Sequence, residues 1–202
     1  MSIFQNSWLS LFIFPLLGYL SGSLSFALWV TRLVKGVDVR EAGSKHATAT
    51  NTVRQAGWGP GVLVLVLDIA KGFVPVYLAS RLGAADWVVA LTGALAVVGH
   101  CWPLFAGFRG GMGLATGGGG FLAVAPLAFA IGLGVLVSLL LIIRHSARAS
   151  VFAGLLFTPV FWLFGLRGQI LWLSTLVGLV IARRFTMDWR RQYRELWLDR
   201  NV

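Results

Sequence analysis

The chain is poor in charge. Only 12% of its 202 residues are Asp, Glu, Lys or Arg, against roughly 25% in a soluble domain. With a mean hydropathy of +0.81, it lacks the polar surface to cover a water-soluble globule. Cys101 is the single cysteine, which excludes an internal disulfide. No cluster of His, Cys and carboxylates has the spacing of a metal site, so no metal and no cofactor is expected. No base stands near Cys101 to activate it as a nucleophile. The start, MSIFQNSW, has no basic n-region, and no small-residue cleavage site precedes Gly22. The first apolar run therefore reads as a retained span and not as a signal peptide. There is no internal repeat and no long linker, so residues 1–202 read as one domain.

What remains is a series of apolar runs. A helix needs about 20 apolar residues to cross a ~30 Å hydrocarbon core. Residues 8–30, 61–80 and 87–105 fit, followed by shorter runs at 151–165 and 170–182. The run 114–143 would be about 45 Å long as one helix. It carries four successive glycines and then Pro126, so it reads as a short helix to Ala125, a break, and a second helix from Pro126. The charge pattern supports that split. The net charge is +10, with basic residues gathered in 32–54, 144–148 and 183–200. Two crossings between 114 and 143 place all three groups and Arg109 on one face, as the positive-inside rule requires. The expected fold is an all-α integral membrane protein with seven transmembrane helices, N-terminus outside and C-terminus cytoplasmic. The basic segments are short and flank apolar spans, which argues against a nucleic-acid partner.

Two polar segments carry the chemistry, near 31–59 and 107–116. The first contains "GVDVREAGSKHATATNTVRQAG" (36–57), rich in Ser, Thr, Asn and Gly, with Arg40 and Arg54. Short hydroxyls, backbone N–H groups and guanidinium are the groups that hold phosphate. Thr50 and Arg54 are four apart and share a helix face. The same composition also suits an ordinary solvated loop with a capped helix start. The second, "FRGGMGLATGGGG" (108–120), is dense in glycine. It suits either an anion nest opening onto a helix N-terminus or close packing between helices. It is not a Walker A loop, because the Gly-Lys-Ser/Thr ending is absent. "LDIAKG" (67–72) places Asp68 and Lys71 inside a span, spaced to pair on one face. A small transporter with the glycine segment as a re-entrant loop is a weaker reading, since inverted repeats are missing.

In order and spacing, five stretches together resemble one family, the bacterial acyl-phosphate:glycerol-3-phosphate acyltransferases of the PlsY type. They are "GSLSFALWVTRLVKGVDVREAGS" (22–44), "ATNTVRQAG" (49–57), "LDIAKGFVP" (67–75), "VVGHCWPLFAGFRGG" (97–111) and "GLAT" (113–116). The resemblance covers most of 22–150. It implies a seven-helix, multi-pass protein of the bacterial inner membrane. It implies transfer of a fatty acyl group from acyl phosphate to the 1-hydroxyl of glycerol 3-phosphate, giving lysophosphatidic acid for phospholipid synthesis. It implies no metal, no cofactor, no covalent acyl-enzyme and no protein partner beyond the membrane lipid.

By the same resemblance, Ser44 and Arg54 are the residues needed for activity. Thr50, Asn51, His100, Gly110, Gly111, Gly113, Thr116 and Ser150 fall on substrate-binding positions. Three departures stand out. The family's Gly-Gly-Lys-Gly is Gly110-Gly111-Met112-Gly113 here, which would set an apolar side chain against an anion. Its Gly-Ser-Gly-Asn is Gly43-Ser44-Lys45-His46. Its Arg-His-x-x-Asn falls near "RRFTMD" (183–188), without His or Asn. Lys45, His46 and Arg184 are the candidates to compensate. An alternative reading is a divergent or inactive member that binds lipid or phosphate, or acts on a different phosphorylated alcohol.

Overall fold

The computed structural model describes residues 8–191; the N-terminal stretch before Trp8 and the end of the basic tail lie outside them. Among the described residues nine α-helices follow one another: α1 (Trp8–Gly22), α2 (Phe26–Lys35), α3 (Ala49–Ala56), α4 (Trp58–Arg81), α5 (Asp86–Cys101), α6 (Leu114–Val124), α7 (Pro126–Ile143), α8 (Ser146–Leu163) and α9 (Gln169–Thr186). A 3-10 turn, Leu104–Ala106, follows α5. Among these residues five helical segments are long and apolar enough to cross a membrane: Trp8–Lys35, Trp58–Arg81, Asp86–Ala106, Pro126–Ile143 and Ser146–Leu163. Among the described residues the chain is all-helical.

The expected first span, 8–30, is not one straight helix. It stops at Gly22 and restarts at Phe26. The Ser23 hydroxyl donates to the Tyr19 carbonyl at 2.8 Å and accepts the Leu104 N–H at 3.3 Å. The Leu24 carbonyl, freed by the break, accepts a hydrogen bond from Lys71 Nζ at 2.7 Å. Lys71 also pairs with Asp68 at 2.9 Å, both buried. A charge inside a span is tolerated when it is paired and satisfies exposed backbone. The "LDIAKG" pair therefore holds the break between α1 and α2 in place.

The split of 114–143 is as the glycines and Pro126 predict. Pro126 occupies the first turn of α7, where its missing N–H does no harm. Gly119 lies so close to Ile69 and Phe73 of α4 that a side chain there would strike their backbone. A side chain at Gly117 would press on the Val177 side chain of α9. These glycines serve helix packing, the van der Waals route to association inside a bilayer. Phe121, Phe157 and Phe161 form the aromatic centre of the core, with Phe121 edge-on to both others at 5.3 and 5.2 Å.

The helices bring the loops together at two ends. At one end the Ser80 hydroxyl and Gln169 are within 3.3 Å, and Asp86 lies beside Gly168. At the other end gather the 36–48 segment, the glycine loop and the end of α9, and Arg148 lies over the Trp189 ring at 5.6 Å.

Candidate functional site

The 36–48 segment has no regular secondary structure, yet it is pinned throughout. Arg40 makes a two-point contact with Asp38, at 2.9 and 2.7 Å. The guanidinium beside it holds the Asp38 carboxyl at about 2, below the usual range. Arg40 Nη1 also donates to the Ala106 carbonyl at 2.7 Å, tying this segment to the start of the glycine loop. Asn51, fully buried in the first turn of α3, donates through Nδ2 to the carbonyls of Val39, Ala42 and His46. Its Oδ1 accepts the Ser44 N–H at 3.2 Å. Thr48 caps the helix by accepting the Asn51 N–H. The ordinary solvated loop is thereby excluded: this is a built structure that presents Ser44.

The glycine loop is fitted against it. Ala47 N–H donates to the Gly110 carbonyl at 3.3 Å, and Gly111 N–H to the His100 carbonyl at 3.0 Å. A Cβ on Gly110 would collide with the His100 carbonyl, and one on Gly111 with the His100 ring and the Ala47 carbonyl. Gly113 has a φ of +87° and opens α6 with no side-chain cap. The amides of the first helical turn therefore receive no side-chain cap.

Met112 does not face this site. It is 8% exposed and belongs to the hydrophobic core with Val97, Cys101 and Ile181. The expectation of an apolar side chain set against an anion is corrected: the backbone held at Gly111 and Gly113 turns residue 112 inward.

The end of α9 closes the cluster. Arg184, 8% exposed, donates from Nε to the Gly111 carbonyl at 3.1 Å. Its Nη2 lies 3.3 Å from His46 Nδ1, and its guanidinium sits over Trp102, 6.0 Å from the ring centre. His46 Nε2 is 2.6 Å from Asp188 Oδ2, both buried. Arg191 Nη2 donates to the Ser44 carbonyl at 2.8 Å.

Among the described residues, four buried side-chain polar atoms have no hydrogen-bond partner: Arg54 Nη2, His100 Nδ1, Thr116 Oγ1 and Arg148 Nε. Buried polar groups are almost always paired, so such orphans call for an explanation. Three belong to residues that the sequence singles out. His100 Nδ1 faces Asp68 at 3.6 Å, an ion-pair approach. Arg54 Nη2 and Thr116 Oγ1 are left as a guanidinium nitrogen and a hydroxyl without a protein partner.

Comparison with known proteins decides the family. The family model described as glycerol-3-phosphate acyltransferase matches residues 12–195. The chain belongs to this family. It is 43% identical over 166 residues to the glycerol-3-phosphate acyltransferase of Rubrobacter xylanophilus, covering 81% of each chain. It is 42% identical over 183 residues to that of Anaeromyxobacter dehalogenans, covering 88% of this chain and 90% of the relative. Its fold matches the crystal structure of PlsY, an integral membrane glycerol 3-phosphate acyltransferase, in the glycerol 3-phosphate form. The TM-score is 0.79 at 34% identity, over 90% of this chain and 91% of that one. The lysophosphatidic acid form matches with a TM-score of 0.78.

Within this acyltransferase the residues picked from the sequence separate into groups. Ser44, His46, Gly110, Gly111 and Arg184 are joined by the contacts above, and His100 supports the glycines. Asn51 has its side chain engaged in holding the loop. Ser150 donates to the Ser146 carbonyl of its own helix at 2.8 Å. Thr50 is exposed. Lys45 is exposed, in a left-handed conformation with φ of +57°, and stands apart from the buried cluster that His46 and Arg184 form. Sequence reasoning missed Asp188 and Arg191. Asp188 meets a partner 142 positions away, and no local pattern announces such a pair.

Proposed function

We propose that the chain transfers a fatty acyl group from an acyl phosphate to the 1-hydroxyl of glycerol 3-phosphate, releasing lysophosphatidic acid and phosphate. The observation that carries this reading is the unpartnered Arg54 guanidinium and Thr116 hydroxyl, in a fold that matches PlsY in both its glycerol 3-phosphate and lysophosphatidic acid forms. Both substrates bring phosphate. Arg54, Thr116 and the uncapped amides of α6 are donors of the kind phosphate requires. Ser44 is held by Asn51 and Arg191 in the segment that packs on the glycine loop. The site offers no nucleophile with a base at hand: the Ser44 hydroxyl accepts the His46 backbone N–H at 3.4 Å. The reaction proceeds by direct attack of the glycerol hydroxyl on the acyl carbonyl. The C–O bond to phosphate breaks, and the proton passes to a substrate phosphate. Holding the two anions in line supplies the rate.

The acyl tail has a place to start. An apolar cavity of about 50 Å³ begins at Leu114, directly after the loop, and runs past Phe129, Leu136 and Phe157. Leu133, on its wall, is half exposed on the outer surface of α7. The donor enters from the bilayer with its phosphate at the glycine loop.

The chain crosses the bacterial inner membrane seven times, with α1 and α2 as one span and α6 and α9 added to the four other long helices. α6 is only about 16 Å long, yet its flanking loops 101–113 and 124–126 lie at opposite ends. Arg32, Arg40, Arg54, Arg109, Arg148 and Arg184 lie in the loops and helix ends on the side of the site, which favours that end in the cytoplasm and the N-terminus outside. No metal, cofactor or protein partner is required. The test is to assay purified protein with acyl phosphate and glycerol 3-phosphate. Equal formation of lysophosphatidic acid and phosphate supports the reading. Absence of turnover by folded protein rejects it.

A further inference from the structure

The glycine loop has no buried cation of its own. Arg109, its one basic residue, has a side chain that is 63% exposed and turned to Glu41 at 3.9 Å. Met112 is in the core. A nest of amides without a nearby fixed charge is a weak site for a phosphate dianion in water. A guanidinium reaches this loop from elsewhere in the fold. Arg184, from the last turn of α9, hydrogen-bonds the Gly111 carbonyl through Nε. Two further contacts fix its plane, the Trp102 ring and His46 Nδ1.

The His46 contact is directional. An arginine N–H only donates, and two arginines approach the ring at 3.3 Å, Arg184 Nη2 at Nδ1 and Arg191 Nη1 at Nε2. The shorter contact of Nε2 with the Asp188 carboxylate, which only accepts, places the ring proton on Nε2 and the lone pair on Nδ1. There it donates to Asp188 Oδ2 at 2.6 Å. The carboxylate thus selects the tautomer that accepts from Arg184. Arg191 flanks the same pair, 3.8 Å from Asp188, and grips the Ser44 carbonyl. A guanidinium has five N–H donors. Nε serves Gly111 and one N–H of Nη2 serves His46. The other N–H groups meet sulfur, a weak acceptor: Met187 Sδ at 3.8 Å from Nη1, and the Cys101 thiol. Strong donors remain beside the loop.

We infer that Arg184, delivered by α9, supplies the positive charge of the glycine loop and binds a substrate phosphate there, with His46 and Asp188 as positioning residues that aim it. This rests on the acyltransferase reading above. The ligand chemistry is a phosphate monoester or an acyl phosphate, and the two are told apart by which substrate responds.

The experiment compares wild type, Arg184→Lys, Arg184→Ala, Asp188→Asn and Asp188→Ala in detergent. Two quantities are read: the rise in melting temperature on adding glycerol 3-phosphate, and the KM for acyl phosphate during turnover. Loss of a charge-assisted hydrogen bond is expected to weaken the responding substrate about 10- to 100-fold in both Arg184 variants. Lysine keeps a charge but lacks the planar fork, so it does not rescue. Asp188→Ala raises the same KM, and Asp188→Asn restores it, because an amide oxygen still accepts from Nε2. A merely structural Asp188 would change the unliganded melting temperature without that split. If the glycerol 3-phosphate response falls, the acceptor's phosphate is the one bound; if the acyl phosphate KM rises, it is the donor's. A folded Arg184→Ala protein that keeps both wild-type values overturns the inference alone. A wild type that shows neither binding nor turnover overturns the acyltransferase reading with it.

Discussion

Ala47 donates its backbone N–H to the Gly110 carbonyl at 3.3 Å, which makes one site out of two loops that lie more than sixty residues apart. Arg40 reinforces the junction through the Ala106 carbonyl. Ser44 and the glycine loop are therefore held in register by backbone as well as by side chains.

Gly111 has no room for a side chain, since a methyl group would strike the His100 ring and the Ala47 carbonyl. Both obstacles belong to the packed site, so the loop itself must move. Gly111→Ala is expected to lower kcat/KM at least 100-fold. A steady-state assay checks this, with melting temperature confirming that the helices remain folded.

Asn51 satisfies three carbonyls and one amide of the 36–46 segment. Asn51→Ala leaves the buried Ser44 N–H without its acceptor, while the Val39, Ala42 and His46 carbonyls keep Gln55 Nε2, the Lys45 N–H and the Thr48 N–H. A loss of about 1–3 kcal/mol follows from the usual penalty for one such group. Thermal unfolding in detergent reads it, and activity falls with stability because Ser44 is released.

Lys45 holds a left-handed backbone that disfavours any residue with a Cβ by about 1–2 kcal/mol. Glycine removes that strain but loses more chain entropy on folding. The balance predicts that Lys45→Gly stabilises by about 0.5–1 kcal/mol. Because Lys45 is exposed, activity should stay within about twofold of wild type.

Asp38 ionises at about 2 in the folded chain, against 3.8 when free. A lowered carboxylate pKa adds stability that is complete above 3.8 and is lost as pH falls toward 2. Melting temperature should drop in that window. Asp38→Asn should be less stable at pH 6 and should lose this part of the pH dependence.

The helices were legible because apolar length and Pro126 speak locally. The two polar segments were legible because a run of glycines and a Thr-capped helix start are local patterns too. The break at 23–25 was not, since "SLS" in an apolar run gives no sign that Lys71 will cap the Leu24 carbonyl from another helix. The direction of Met112 was hidden for a related reason: it depends on how Gly111 and Gly113 are held by His100 and by the start of α6. Asp188 and His46 meet only after the whole chain has folded.

The central claim is that Arg54, a guanidinium with a buried unpartnered nitrogen, waits for a substrate phosphate in a working acyltransferase. The most direct measurement is lysophosphatidic acid formation from acyl phosphate and glycerol 3-phosphate by purified wild type and by Arg54→Ala. The account predicts turnover by wild type, a loss of at least about 100-fold in the variant, and a nearly unchanged melting temperature without substrate. An Arg54→Ala protein that turns over like wild type would contradict it.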